Sequence, residues 1–492
     1  MPGAPKYSYR GVMEPDRFEA TPLLTAPAPN YNTNDSEDSL GPADLSSEKV
    51  LSTYLSQFEK PVKPEKKKQS SLITIFSVWN TVMGSSLLTM AWGVERAGLP
   101  AALLLVALMA ALCLYTGYLL LCVNKHHGGE NCEVPALCGA LLGPWWRRLA
   151  HTFSLLVLLG ANVVYWILIT NFLYFTVNYF SDLSSNSTVS NSSLLCRTPL
   201  VNASLLFPPP VAPAAPAPRE DSALWGLHST VPVYVAFIIF PLLNFKNVTF
   251  FTKFNSLGTL SVLYLLVFVI VKAATWGINI NSLQSENIPA KNAAVLSGML
   301  ALSFYIHNII ISIMSNNARQ EKNGRDLTIA FILVTVTYVL VGAVFYICFP
   351  LAKSCIEDNI LNNFEMHDVM TAVARVLLLF QVVTVYPLVA FMLRTEAILL
   401  LPFKESGLLT IAINICIVVL CILVACFCPN IGTIIRYTGA VSGLVHVFAL
   451  PSLLQLRSLQ LRGTLTCWKL GFYVLIITFG AVNLLMQFFI NE

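Results

Sequence analysis

The residues best placed to do chemistry crowd into WNTVMGSSLLTM, residues 79–90, where an Asn, two Thr, two Ser, a Gly and two Met interrupt an apolar run. Gly84 puts no side-chain constraint on the backbone, and Ser85 and Ser86 compete for its hydrogen bonds, so a helix here is weakest at residues 82–86. Unwinding a helix in lipid frees N–H and C=O groups that hydrocarbon cannot satisfy, and such a break survives only where it lines a cavity. The freed N–H groups and the positive end of the restarting helix suit a carboxylate, while freed carbonyls and hydroxyls suit Na⁺. An amino acid supplies that carboxylate. Small residues also let membrane helices pack closely, but Asn80, one turn before the break, favours a site: its amide is costly in lipid without a partner or an ion.

Little else competes. No glycine-rich phosphate loop, GxSxG elbow or pair of carboxylates inside an apolar span occurs, so an enzyme is not expected. His307 and His446 are the ionisable rings deep within spans; hydrogen-bonded packing is the ordinary role of such a residue, and His307 in FYIHN is the candidate for a proton or substrate path. Cys113, Cys348, Cys416, Cys421 and Cys426 sit in apolar spans as small hydrophobes, and Cys132 and Cys138 lack metal-ligand spacing.

The elements that must position these residues are membrane helices. The chain is 55% hydrophobic and 11% charged, outside the balance of a soluble globular protein. Eleven apolar stretches lie at residues 71–97, 99–123, 149–179, 231–245, 256–276, 293–315, 327–349, 370–393, 408–427, 431–454 and 468–490. The fourth is short and bracketed by Pro232 and Pro241. Residues 1–69 are rich in Pro, Ser, Asp and Glu and read as a disordered tail without a signal peptide's apolar core, which leaves 70–492 as the membrane domain. The expected architecture is all-α, with eleven transmembrane helices.

Basic residues orient it: with the tail cytosolic, the cytosolic loops collect Lys125, Arg147, Arg319, Arg394 and Arg457, among others, and the C-terminus is luminal. The loop at 180–230 is then luminal, and its sequons at Asn186, Asn191 and Asn202 are expected to carry glycans. Cys196 in that loop and Cys355 in another luminal loop stand in an oxidising setting and are expected to pair. A net charge of +4 and one short basic run at 66–68 give no reason to expect nucleic acid.

WNTVMGSSLLTMAWGVERAG, the stretch 231–265, FYIHNIIISIMSNN, LLLFQVVTVYPLVAF and CPNIGTIIRYTGA, in that order, resemble the amino acid/auxin permease group over roughly residues 71–490. The resemblance implies a LeuT-like inverted five-plus-five repeat plus one helix, with spans 1 and 6 broken; span 6 carries Gly298, Ser303, His307 and Asn308 but no Gly or Pro at its centre. It implies a Na⁺ site at Asn80 and Thr384, amino acid contacts along Thr81, Val82, Met83, Gly84 and Ser85, and an arginine-sensing position at Ser85, where Thr is expected. It also implies a cholesterol contact at Arg375, Phe380 and Phe391, the last replacing an aromatic hydroxyl. Na⁺ is the coupling or structural ion, with no other cofactor. The implied place is the lysosomal or late endosomal membrane, and the implied cargo is of the arginine, leucine and glutamine class. The tail, with Tyr7, Tyr9, Arg10 and Pro15, is implied to engage Ragulator and Rag GTPases and so report amino acid sufficiency to the target-of-rapamycin kinase.

The expected function is therefore a Na⁺-linked, arginine-responsive lysosomal carrier exporting neutral amino acids such as leucine. The alternatives are an amino acid receptor with little flux, and a neutral amino acid carrier of another membrane without a signalling role.

Overall fold

The computed structural model describes residues 68–128, 133–184, 194–196, 224–244, 258–279, 292–401 and 406–490. The tail to residue 67 and the sequon residues Asn186, Asn191 and Asn202 lie outside them.

Over the described residues the chain is helical, with only two isolated β-bridges. The first apolar stretch forms two helices, α1 (Ser71–Val82) and α2 (Ser86–Ala97), bent 63° from each other. Gly98, at φ 76°, then turns the chain directly into α3 (Leu99–His127), a left-handed conformation that glycine adopts without a Cβ penalty. Short α4 (Val134–Leu141) leads to α5 (Pro144–Ser184), which outruns its apolar stretch at both ends because Pro144 is tolerated in a first turn and polar turns continue a helix beyond lipid. Next come α6 (Val231–Leu243), with Pro241 in its last turn, and α7 (Gly258–Trp276).

The sixth stretch is interrupted as well, into α8 (Ala293–Ser303) and α9 (Ile310–Ser315). α10 (Asn323–Val339) runs through a π turn at Leu340–Val344 into α11 (Phe345–Cys348). There follow α12 (Val369–Leu400), α13 (Gly407–Phe427), α14 (Ile431–Ser442), a second π segment at Gly443–Ala449, α15 (Leu450–Leu461) and α16 (Cys467–Met486). Among the described residues eight helical runs are long and apolar enough to cross a bilayer, nine if α1 and α2 count as one bent span, and α6 and α8 are shorter apolar helices. The chain is a multi-pass membrane protein.

Three contacts set the frame. α5 lies along α12, and α8 packs on both α14 and α2. α8 and α14 meet backbone to backbone: a Cβ on Gly298 would lie 2.9 Å from the Arg436 carbonyl oxygen, and one on Gly439 would run into the Gly298 carbonyl oxygen.

Both ends are clasped. On one side Cys196 and Cys355, 159 residues apart, form a disulfide with 4.9 Å between Cα atoms, the expected pair. Leu194 pairs with Phe364 beside it, and the Leu195 N–H donates to the Asn363 carbonyl at 2.9 Å. At the start of α1 the Gln69 N–H donates to the Asn316 carbonyl (2.7 Å) and the Ala318 N–H to the Gln69 carbonyl (2.8 Å), tying the entry of α1 to the exit of α9.

Candidate functional site

The break in the first span is three residues long. Val82 is the last residue of α1, Met83 is extended at ψ 92°, and the helix restarts at Ser86. The restart agrees with the sequence; Thr81 and Val82 differ, being still helical. Thr81 holds its turn by donating its hydroxyl to the Ser77 carbonyl at 2.7 Å, so the unwound backbone is that of Met83, Gly84 and Ser85. The first N–H groups of the restarted helix have no i−4 carbonyl, and Gly84 lies open toward the Tyr165 hydroxyl, 3.7 Å from where a Cβ would stand.

The second break, residues 304–309, comes to the same place. Tyr338 of α10, 1% exposed, donates its hydroxyl to the Ser303 carbonyl at the end of α8 (2.8 Å) and to the Val82 carbonyl at the end of α1 (3.2 Å). The Ser86 hydroxyl lies 3.3 Å from it. One phenol thus joins both interruptions, and one proton cannot serve both carbonyls at once. Its neighbour Thr337 accepts from the Trp79 indole N–H at 3.3 Å. Nothing in the sequence pointed to Tyr338, one of two tyrosines in that apolar span.

Asn80 and Thr384 are linked through a third helix. The Asn80 amide oxygen accepts from the Thr259 hydroxyl of α7 at 3.0 Å. Gly258, the preceding residue, faces Gln381 of α12 so closely that a Cβ would lie 3.0 Å from its amide nitrogen. The Gln381 amide oxygen is buried without a hydrogen-bond partner. Thr384, one turn further on, donates its hydroxyl to the Gln381 (2.8 Å) and Phe380 (3.1 Å) carbonyls, and its lone pairs stay available. A buried amide oxygen without a donor is thus found beside the helix that holds Asn80, and nothing in the sequence singled out Gln381.

The expected cholesterol residues do not share a surface. Phe380 and Phe391 are exposed on α12, three turns apart on one face, whereas Arg375 is 1% exposed. Its guanidinium donates to the Leu361 (2.8 Å) and Phe364 (3.3 Å) carbonyls and lies 4.3 Å from the centre of the Phe175 ring. His307 and His446 are both buried, with Nε2 2.9 Å from the Thr116 hydroxyl and 3.2 Å from the Ser154 hydroxyl respectively.

On the disulfide side two charges are fixed outside the spans. Burial raises the Asp368 carboxyl, but Lys272 at 2.7 Å and the Thr371 hydroxyl outweigh it and hold the group below its usual range. Burial lowers the Lys353 ammonium to about 8; it donates to the Phe349 (2.8 Å) and Ile347 (3.3 Å) carbonyls.

Residues 67–490 match the family described as transmembrane amino acid transporter protein. The chain is similar to the sodium-coupled neutral amino acid transporter 9 homolog of Caenorhabditis elegans, 39% identical over 455 residues that cover 86% of this chain and 74% of that protein. It is similar to neutral amino acid transporter 9 of Xenopus tropicalis, 38% identical over 448 residues, covering 86% and 80%. Human solute carrier family 38 member 8 is 24% identical over 411 residues, covering 78% and 84%.

Proposed function

Because this chain belongs to the transmembrane amino acid transporter family, we propose that it is a Na⁺-linked carrier of neutral amino acids, working by alternating access through an eleven-helix, LeuT-like five-plus-five repeat. It is a transporter and not an enzyme. The observation that carries the reading is the meeting of two interrupted helices at Tyr338, deep in the protein. The amino acid carboxylate takes the N–H groups of the break at Gly84 and Ser85, the Met83 N–H being held by the Trp79 carbonyl at 2.9 Å, and Na⁺ takes oxygens of Asn80, Thr384 and Gln381. The names of the relatives support sodium coupling and neutral cargo.

The reading extends to a lysosomal or late endosomal membrane with the N-terminus cytosolic, to arginine acting at Ser85, and to a tail that signals through Ragulator and Rag GTPases. The family resemblance supports these parts. A sterol ring would lie on Phe380 and Phe391 alone.

Uptake of labelled leucine and arginine into proteoliposomes holding the full chain tests it, with Na⁺ or choline outside. Wild type takes up substrate faster in Na⁺, and Asn80→Ala and Gln381→Leu each cut the Na⁺-stimulated part by roughly tenfold, the scale of a lost charge-assisted contact. Uptake indifferent to Na⁺ defeats the ion coupling. No uptake at all, with arginine still captured, leaves a receptor.

A further inference from the structure

A cavity of about 940 Å³ lies between α3, α9 and the start of α10, with no residue of either break in its lining. Ala111, Leu114, Tyr118, Leu121 and Lys125 line it at alternating three- and four-residue spacing, so one stripe of α3 forms its long wall, running about 21 Å at 1.5 Å per residue. The polarity changes steadily along that wall. Ala111 and Leu114, with Ile311 and Met314 opposite, make an apolar inner end; Tyr118, 46% exposed, stands midway; Asn124, Lys125, Gln320, Glu321 and Arg325 form the mouth.

The charge at the mouth is unbalanced. Lys125 and Arg325 line it, and Arg319 and Lys322 stand on the same short linker before α10. Against these four cations are Glu321 and Asp326; Asp326 accepts from Arg325 (2.7 Å) and Asn317 (2.9 Å), and that ion pair leaves Lys125, Arg319 and Lys322 against Glu321.

We propose that this groove binds one anionic phospholipid, with an acyl chain along Ala111–Leu121 and the phosphate at Lys125 and Arg325. The order of surfaces, from alkyl through phenol to cation, repeats the order of groups along one lipid molecule, and basic pockets between membrane helices suit anionic headgroups. A peptide would bury its amides against the alkyl side chains of the inner end, which offer no hydrogen bonds. A sterol has one hydroxyl and leaves the cations unmatched. Placing the lipid in the cytosolic leaflet rests on the orientation proposed above; the chemistry of the groove does not.

Native mass spectrometry of the purified full chain, titrated with phosphatidylinositol, phosphatidylcholine or cholesterol, tests the assignment. Wild type binds phosphatidylinositol about thirtyfold more tightly than phosphatidylcholine, as roughly 1 kcal/mol for each of two basic side chains at an anionic headgroup implies. Lys125→Glu brings the two phospholipids to parity. Ala111→Trp fills the inner end and weakens both, while Arg148→Glu, at a cation outside the groove, changes neither. Ala111, Lys125 and Arg148 are exposed, so the variants leave the core intact. Equal binding of the two phospholipids by wild type, indifference to Lys125→Glu and Ala111→Trp, or preferential binding of cholesterol overturns the proposal. Because the readout is lipid and not transport, failure here leaves the carrier reading standing.

Discussion

Tyr338 has one hydroxyl proton and two helix-end carbonyls to share it with, Val82 and Ser303. Tyr338→Phe keeps the ring, which packs edge-on to Phe304 at 5.4 Å, and leaves both carbonyls without that donor. Removing one partner of a buried hydrogen bond costs about 1–3 kcal/mol, so the variant should denature at lower temperature in detergent. An unchanged denaturation midpoint would show that the carbonyls find other partners. Arg375, which the family resemblance put at a sterol contact, is 1% exposed, and its Nη2 donates to carbonyls of the segment before α12. Gln381 is the converse, an ordinary amide in the sequence whose importance lies in an oxygen without a donor.

At the scale of elements, the first break was legible because Met-Gly-Ser-Ser weakens a helix through its own backbone. The second was harder to read: residues 304–309, FYIHNI, contain neither Gly nor Pro, and that segment is held open by contacts from elsewhere, Tyr338 on the Ser303 carbonyl and Thr116 on His307. No local pattern encodes bonds reaching across 35 and 191 residues. The apolar stretches themselves were plain, since lipid demands length and hydrophobicity, though their ends were not. Packing also decides what each glycine tolerates. Gly439→Ala forces α14 off α8 and should cost about 1–3 kcal/mol as an overpacked contact. Gly471→Ala, inside α16 with nothing within 4 Å of the new methyl, should gain about 0.5–1 kcal/mol. Denaturation midpoints that move the same way for both would deny the close crossing.

At the scale of the whole molecule, the Cys196–Cys355 bridge closes a loop of more than 150 residues. Cys196→Ser should lower stability by about 2–4 kcal/mol, with free-thiol labelling of Cys355 as the check; stability equal to wild type would show that the Leu194–Phe364 pairing suffices. The same side carries a pH signature. Lys353 titrates near 8 in the fold against a usual 10.5, so between those values the unfolded chain binds more protons and stability rises with pH, while below about 8 the cost of burying the cation is present in full. Wild type should therefore gain on Lys353→Met as pH climbs from about 8 toward 10, and parallel curves would refute it. Asp368 runs the other way: its depressed carboxyl stabilises the fold above the ordinary carboxylate range and loses that contribution as pH falls through its folded value. The paired amides of Gln69 and Ala318 act as a kinetic clasp between the entry of α1 and the exit of α9. Neither half-helix swings away until both bonds part, so these two protons should exchange with deuterium at one shared rate, which counts the excursions of that end of the carrier.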